Sequence, residues 1–188
     1  MDASANSVTI FRHPFAEGAQ ESRVLLLRAA AQYSGQSAAE LGQVETVPHG
    51  KPFFPRQPQL HVSVTHSGDW WLCACSGQPV GLDLQIHRSH TDPAKLSRRF
   101  FHPAEEAWLV QRDHIPFYDV WCAKESWVKY TGTGFYQDPA DFSVVDERGN
   151  FPCMEHVQFR LLPTEPGYSL CLCAQTLGSV AFLDLSLI

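Results

Sequence analysis

SVTHSGDWWLCACSGQPVGLDLQI, Ser63 to Ile86, is the stretch whose reading decides the fold. The alternation begins just before it: Leu60, Val62 and Val64 fall on one face, and His61, Ser63 and Thr65 on the other. That period of two is the mark of a half-buried strand. A Thr-His-Ser-Gly turn then leads into a second strand, DWWLCAC, and the turn SGQ leads into a third, PVGLDLQI. In the third, Asp83 and Gln85 share a face opposite Leu82, Leu84 and Ile86. Two oxygen-bearing side chains so spaced reach one hard cation such as Mg²⁺. A strand turning its polar residues to solvent accounts for the same pattern.

Around this core the chain alternates helices and strands. ESRVLLLRAAAQYSG predicts a helix ended by Gly35, and VPHGKPFFP a loop rich in proline and glycine. Asp92-Pro93 and the proline of HPAEEAWL each open a further helix. FYDVWCAKESWVKY is the longest convincing helix, stopped by Gly132 and Gly134. The remainder, DFSVVDERGNFP, VQFRLL, YSLCLCAQTL and SVAFLDLSLI, reads as strand-rich with turns between. WWLCAC followed by VGLDL is echoed by YSLCLC followed by AFLDL, ending at Asp83 and Asp184. The expected fold is therefore α+β, built from two related halves, 1–90 and 91–188, in one compact unit.

The composition of the 188 residues, 44% hydrophobic and 18% charged, is that of a globular domain that folds without staples. No run reaches membrane-spanning length, and MDASANSVTIFRHPF lacks the plan of a signal peptide. A cytoplasmic protein with its six cysteines as thiols is expected. The net charge of −6 disfavours a non-specific nucleic-acid binder. Against that balance, Arg88, Lys95, Arg98 and Arg99 form a basic run broken only by Asp92. Such a run faces an anionic partner or is simply a solvated helix face.

Several residues have the chemistry of a site. Glu125 and Lys129 are four apart on one helical face, with Trp121 a turn earlier. A surface ion pair would look the same, but this helix is so aromatic that a charged pair on it needs a partner or a cavity. Glu105 and Glu106 sit in a first helical turn, where they complement the dipole and where Glu105 would be a weakened general base. His66 reads as a turn residue, and Lys51 as an exposed loop lysine. Cys73/Cys75 and Cys171/Cys173 each point to one side of their strand; thiols packed as small hydrophobes fit this better than a four-thiolate zinc site.

In order and approximate spacing, GKPFF, VSVTHSGDWW, VGLDLQ, FFHPAEE and WCAKESWVKYTGTGF resemble the 4′-phosphopantetheinyl transferases of the Sfp type, over about half the chain. The most specific part is W-x-x-K-E-S with a following lysine, downstream of G-x-D. The resemblance implies transfer of the phosphopantetheine arm of coenzyme A, a co-substrate, to a serine of an apo acyl or peptidyl carrier protein. Adenosine 3′,5′-bisphosphate would be released. It implies that Asp83 and Glu125, with Gln85 where many relatives have glutamate, hold Mg²⁺ against the pyrophosphate. It assigns Lys51, Thr65 and His66 to coenzyme A phosphates, Glu105 to proton removal and Lys129 to charge stabilisation. Arg23, with Arg12 and Arg28 as alternatives, is the candidate for the 3′-phosphate. The basic run after Asp83 is the candidate carrier-docking edge. A monomer is expected, with no nucleic acid or membrane partner. The competing readings are a relative that binds coenzyme A or a carrier without turnover, and an unrelated Mg²⁺-dependent nucleotide hydrolase.

Overall fold

The computed structural model describes residues 6–15, 19–48, 50–134 and 138–185. The first five residues of the N-terminal stretch and Phe135 of the glycine segment lie outside them. The described chain runs β1 (Val8–Pro14), α1 (Ala19–Ser34), α2 (Ala38–Leu41), β2 (Glu45–Thr46), β3 (Pro52–Phe53), β4 (His61–Ser67), β5 (Trp70–Ser76) and β6 (Val80–Ile86). It continues with α3 (Pro93–Phe100), α4 (Pro103–Val110), α5 (Phe117–Thr131), β7 (Gln158–Leu161), β8 (Tyr168–Ala174) and β9 (Val180–Asp184). The mixed α+β class expected from the sequence is what forms. No helix among the described residues is long and apolar enough to cross a membrane.

Two sheets pack face to face, ordered β4-β5-β1-β9 and β6-β8-β7, and a two-stranded ribbon, β2-β3, lies apart. Leu72, Ala74 and Ile10 meet Leu82, Leu84, Leu170 and Leu172 between the two main sheets. Cys73, Cys75 and Trp71 face α1 on the outer side of the first sheet. Cys171 faces α5 through Val120, Cys122 and Ala123 on the outer side of the second. The central strands are thus covered on both faces, which explains their near-continuous apolar runs. Cys73 and Cys75 sit in one cluster and Cys171 in another, and no four-thiolate site forms among the described residues.

Both helix ends expected at glycines occur there. Gly35 (φ 70°) follows α1, and Gly132 (φ 72°) caps α5 by donating its N–H to the Val128 carbonyl. At 16 residues, α1 is one residue longer than α5. The β4–β5 turn is Gly68-Asp69, so His66 lies within the strand and not at its turn. The echoed strands cross between layers: β6 pairs with β8, and β9 runs parallel to β1. Each sheet thereby takes a strand from across residue 90. DFSVVDERGNFP forms no strand, because Asp146 accepts from the backbone of Arg148 and Asn150 and curls the chain into a turn.

Candidate active site

β6 is an edge strand of its sheet, and edge strands leave a row of backbone N–H groups without partners. Here β4 satisfies that row from the neighbouring sheet with side chains. Ser63, Thr65 and Ser67 hydroxyls accept from the N–H groups of Leu82 (2.9 Å), Leu84 (3.1 Å) and Ile86 (2.9 Å). Ser63, Thr65 and Asp83 are therefore buried, and the outward-facing polar strand weighed above does not form.

The opposite side of β6 carries Gly81, Asp83 and Gln85. A Cβ built on Gly81 would lie 1.9 Å from the Ser126 carbonyl oxygen and 2.5 Å from the Tyr130 nitrogen. Only glycine lets α5 approach this closely. The approach places Lys129, four residues from Glu125, over the strand, and its Nζ donates to Asp83 Oδ1 at 2.7 Å. The Thr65 hydroxyl donates to the same oxygen at 3.3 Å.

Asp83 is 6% exposed, and its other oxygen, Oδ2, is buried without a hydrogen-bond partner. The nearby Cys122 thiol donates to the Ser169 carbonyl instead, at 3.3 Å. Burial pushes that thiol well above the usual range, and the charge of Asp83 adds to the shift. Glu125 feels the same surroundings. Its carboxyl is raised above the ordinary value by burial first and by Asp83 second, against Lys129 and Lys124. Two carboxylates repelling one another, one with an oxygen that has no partner, have the chemistry to hold a hard cation. The residues fit Mg²⁺, although no group of three or more His, Cys, Asp or Glu gathers among the described residues. Gln85 lies on the same face, its amide nitrogen donating to the Ile86 carbonyl at 3.3 Å.

Lys51 is not the exposed loop lysine of the sequence reading. Its Nζ donates to the carbonyls of Val80 (3.1 Å) and Tyr130 (2.9 Å), tying the start of β6 to the end of α5. Burial pulls its pKa from 10.5 down to about 8. Lys51 and Lys129 line one hollow of about 180 Å³ together with Gly50, Ser63, Gly132 and Gly134. Two cations suit that hollow to an anion, against the negative C-terminal end of α5 that Gly132 caps.

The other candidates lie elsewhere. Arg23 donates to the Val44 carbonyl at 2.8 Å. His66 is exposed, its ring 5.2 Å from that of Phe15. Arg12 pairs with Asp184 at 2.5 Å on the face of the first sheet that looks toward the second, where it lines a hollow with Leu84 and Leu170. Glu105 is fully buried and meets Lys124, a residue that carried no role in the sequence reading. Lys124 Nζ contacts both carboxylate oxygens (2.8 and 2.7 Å) and the Phe142 carbonyl (2.7 Å). The backbone N–H groups of His102 (3.0 Å) and Val144 (2.8 Å) complete the set around Glu105. Burial lowers the Lys124 pKa and Glu105 opposes that shift. With about 100° of helix turn per residue, Lys124 points to a different side of α5 from Glu125 and Lys129. Glu105 thus reaches a substrate hydroxyl only by giving up these bonds.

Comparison with known proteins adds the lineage. The sequence model of the 4′-phosphopantetheinyl transferase superfamily matches residues 79–179, a span that holds Asp83, Glu105, Glu125 and Lys129. A 4′-phosphopantetheinyl transferase of Bacillus subtilis is 29% identical over 167 residues, covering 80% of this chain and 70% of that protein. The 4′-phosphopantetheinyl transferase Sfp of Bacillus subtilis (strain 168) is 30% identical over 143 residues, 69% of this chain and 61% of that one. For gsp of Aneurinibacillus migulanus the values are 36% over 92 residues, 47% of this chain and 37% of that protein. The matched stretches thus span between 37% and 70% of the length of these three relatives. A glycine that admits a helix, an acid two residues on, and a glutamate and lysine answering from that helix sit inside a matched span of more than half the residues: the chain belongs to the 4′-phosphopantetheinyl transferase superfamily.

Proposed function

We propose that the protein transfers the 4′-phosphopantetheine arm of coenzyme A to a serine of an apo acyl or peptidyl carrier protein in a Mg²⁺-dependent reaction that releases adenosine 3′,5′-bisphosphate. The observation that carries the reading is the Asp83 oxygen buried without a partner, on a carboxylate close enough for its charge to raise the Glu125 pKa, beside a hollow lined by two lysines. Asp83 and Glu125 would hold the ion directly, and Gln85 through its neutral amide or a water. Bound there, the ion would neutralise charge on the pyrophosphate.

The chain's own groups do the rest. Phosphoryl transfer rests mainly on positioning and on stabilising charge at oxygen. Lys129 exchanges its Asp83 contact for a phosphate oxygen, and Lys51 fixes the floor of the hollow while offering a second cation. Thr65 keeps Asp83 aimed, its hydroxyl held between Leu84 and the carboxylate. Glu105, whose four hydrogen bonds stay inside the protein, acts as a positioning residue through Lys124 and residues 142–144. A loose transition state asks little deprotonation of the serine before the bond forms, so its proton leaves late, to water or to the phosphate oxygen of the departing adenosine 3′,5′-bisphosphate. Lys95, Arg98 and Arg99 on α3, all exposed, form the edge that receives the acidic carrier. Six free thiols, five of them buried, suit a reducing compartment.

Mass spectrometry of an apo carrier incubated with the protein, coenzyme A and Mg²⁺ tests this. Addition of the arm is expected, and Glu125→Gln should lower its rate about 10³-fold, as loss of several kcal/mol of charge stabilisation requires, with the fold intact. Coenzyme A binding without modification across a broad carrier panel would leave a binding protein. Nucleotide release without a carrier would leave a hydrolase.

A further inference from the structure

The segment His87–Thr91 joins the strand that bears Asp83 to the basic helix α3, and it is mostly exposed. Its ordering comes from the first turn of α5. The Tyr118 hydroxyl accepts from the Arg88 backbone N–H at 2.8 Å and lies 3.2 Å from the Arg88 carbonyl and 2.8 Å from the Thr91 hydroxyl. One proton on the phenol and one on Thr91 satisfy all three contacts. The Tyr118 ring stacks on His87 at 4.4 Å with an interplanar angle of 9°. His87 Nε2 is 2.9 Å from the Ser169 hydroxyl, which donates to Asp119 Oδ1 at 2.6 Å, and the His87 N–H donates to the Gly167 carbonyl at 2.7 Å.

The far end of α3 is held by the same turn. Phe101, its C-terminal cap, stacks on Phe117 at 5.4 Å, and Phe117 meets Tyr118 edge-on at 5.2 Å. Four rings therefore run from one end of α3 to the loop at its other end. Lys95, Arg98 and Arg99 project from a helix whose distance to Asp83 is set by α5, the element that also carries Glu125 and Lys129.

We propose that Tyr118 is a positioning residue for the carrier substrate: it pre-orders the Arg88–Thr91 loop and so presents the cations of α3 at a fixed distance from the reacting centre. The inference rests on the reading of α3 as the docking edge for an acidic carrier. Ordering that segment before the encounter removes an entropy loss the complex would otherwise bear. None of these contacts touches the hollow, so coenzyme A should not sense their loss.

Tyr118→Phe, which deletes the hydroxyl and keeps the rings, is the test, made on the full chain with an apo carrier that the wild type modifies. The KM for carrier should rise about three- to tenfold, the range set by loss of one or two hydrogen bonds. The KM for coenzyme A and kcat should stay as in the wild type, and amide hydrogen exchange of residues 87–92 should speed up. A triple Lys95→Ala, Arg98→Ala, Arg99→Ala variant checks the docking edge by itself. If it raises the KM for carrier while Tyr118→Phe leaves KM and exchange unchanged, the edge stands and Tyr118 has no part in it. If the triple variant binds carrier as the wild type does, the edge and the role of Tyr118 both fall. A wild type that modifies no carrier removes the functional reading, and this one with it.

Discussion

Two lysines of α5 each meet a buried acid, and the pairs differ in what they leave over. Lys124 and Glu105 are 3% and 0% exposed and saturate one another, with backbone donors and a carbonyl filling the remaining positions. The side chains of Lys129 and Asp83 are 29% and 8% exposed, and Asp83 keeps one oxygen without a partner near a second carboxylate. A buried pair with every valence filled specifies structure. One with an empty valence and a repelled neighbour is prepared for something absent from the protein itself.

Breaking the saturated pair should have the largest effect on stability. Glu105→Ala strands a buried ammonium and should destabilise the fold by about 3–5 kcal/mol in chemical denaturation. Lys51 stands between the two cases, half-buried and bonded only to carbonyls. Because its folded pKa is lowered to about 8, the unfolded chain holds more protons between there and 10.5, so this group makes stability rise with pH across that window. Lys51→Met should lack that rise, which amounts to at most about 3 kcal/mol, as read from the difference between wild-type and variant denaturation curves at the two ends of the window. An identical pH slope in both proteins would show that Lys51 keeps its ordinary proton affinity.

Much of this was legible beforehand. The strand from His61 to Ser67 follows a period of two, and the helices ending at Gly35 and Gly132 stop where glycine permits a left-handed residue. Asp83, Gln85, Glu125 and Lys129 share faces at the expected spacing because those faces follow from local geometry. The Glu105–Lys124 pair was not legible. Glu105 looked like a first-turn acid, and it does bond the N-cap N–H of His102, but its main partner is 19 residues away. Nor did alternation reveal that Ser63 and Thr65 face another sheet, since a hydroxyl bound to a backbone N–H and one bound to water give the same sequence. Asp146 made a turn where the β-branched residues before it suggested a strand.

The smallest effect sharpens the unsaturated site. Gln85→Glu adds a charged oxygen to the face that holds Asp83, and at limiting Mg²⁺ it should make transfer at least as fast, by up to a few-fold. A marked loss of rate would show that residue 85 does not look toward the ion.

Calorimetric titration of the protein with Mg²⁺ in the presence of coenzyme A goes straight to the two carboxylates. One ion should bind the wild type, and Asp83→Asn and Glu125→Gln should each weaken it at least tenfold. Unchanged affinity in both variants would mean that the cation, wherever it sits, is not held between β6 and α5.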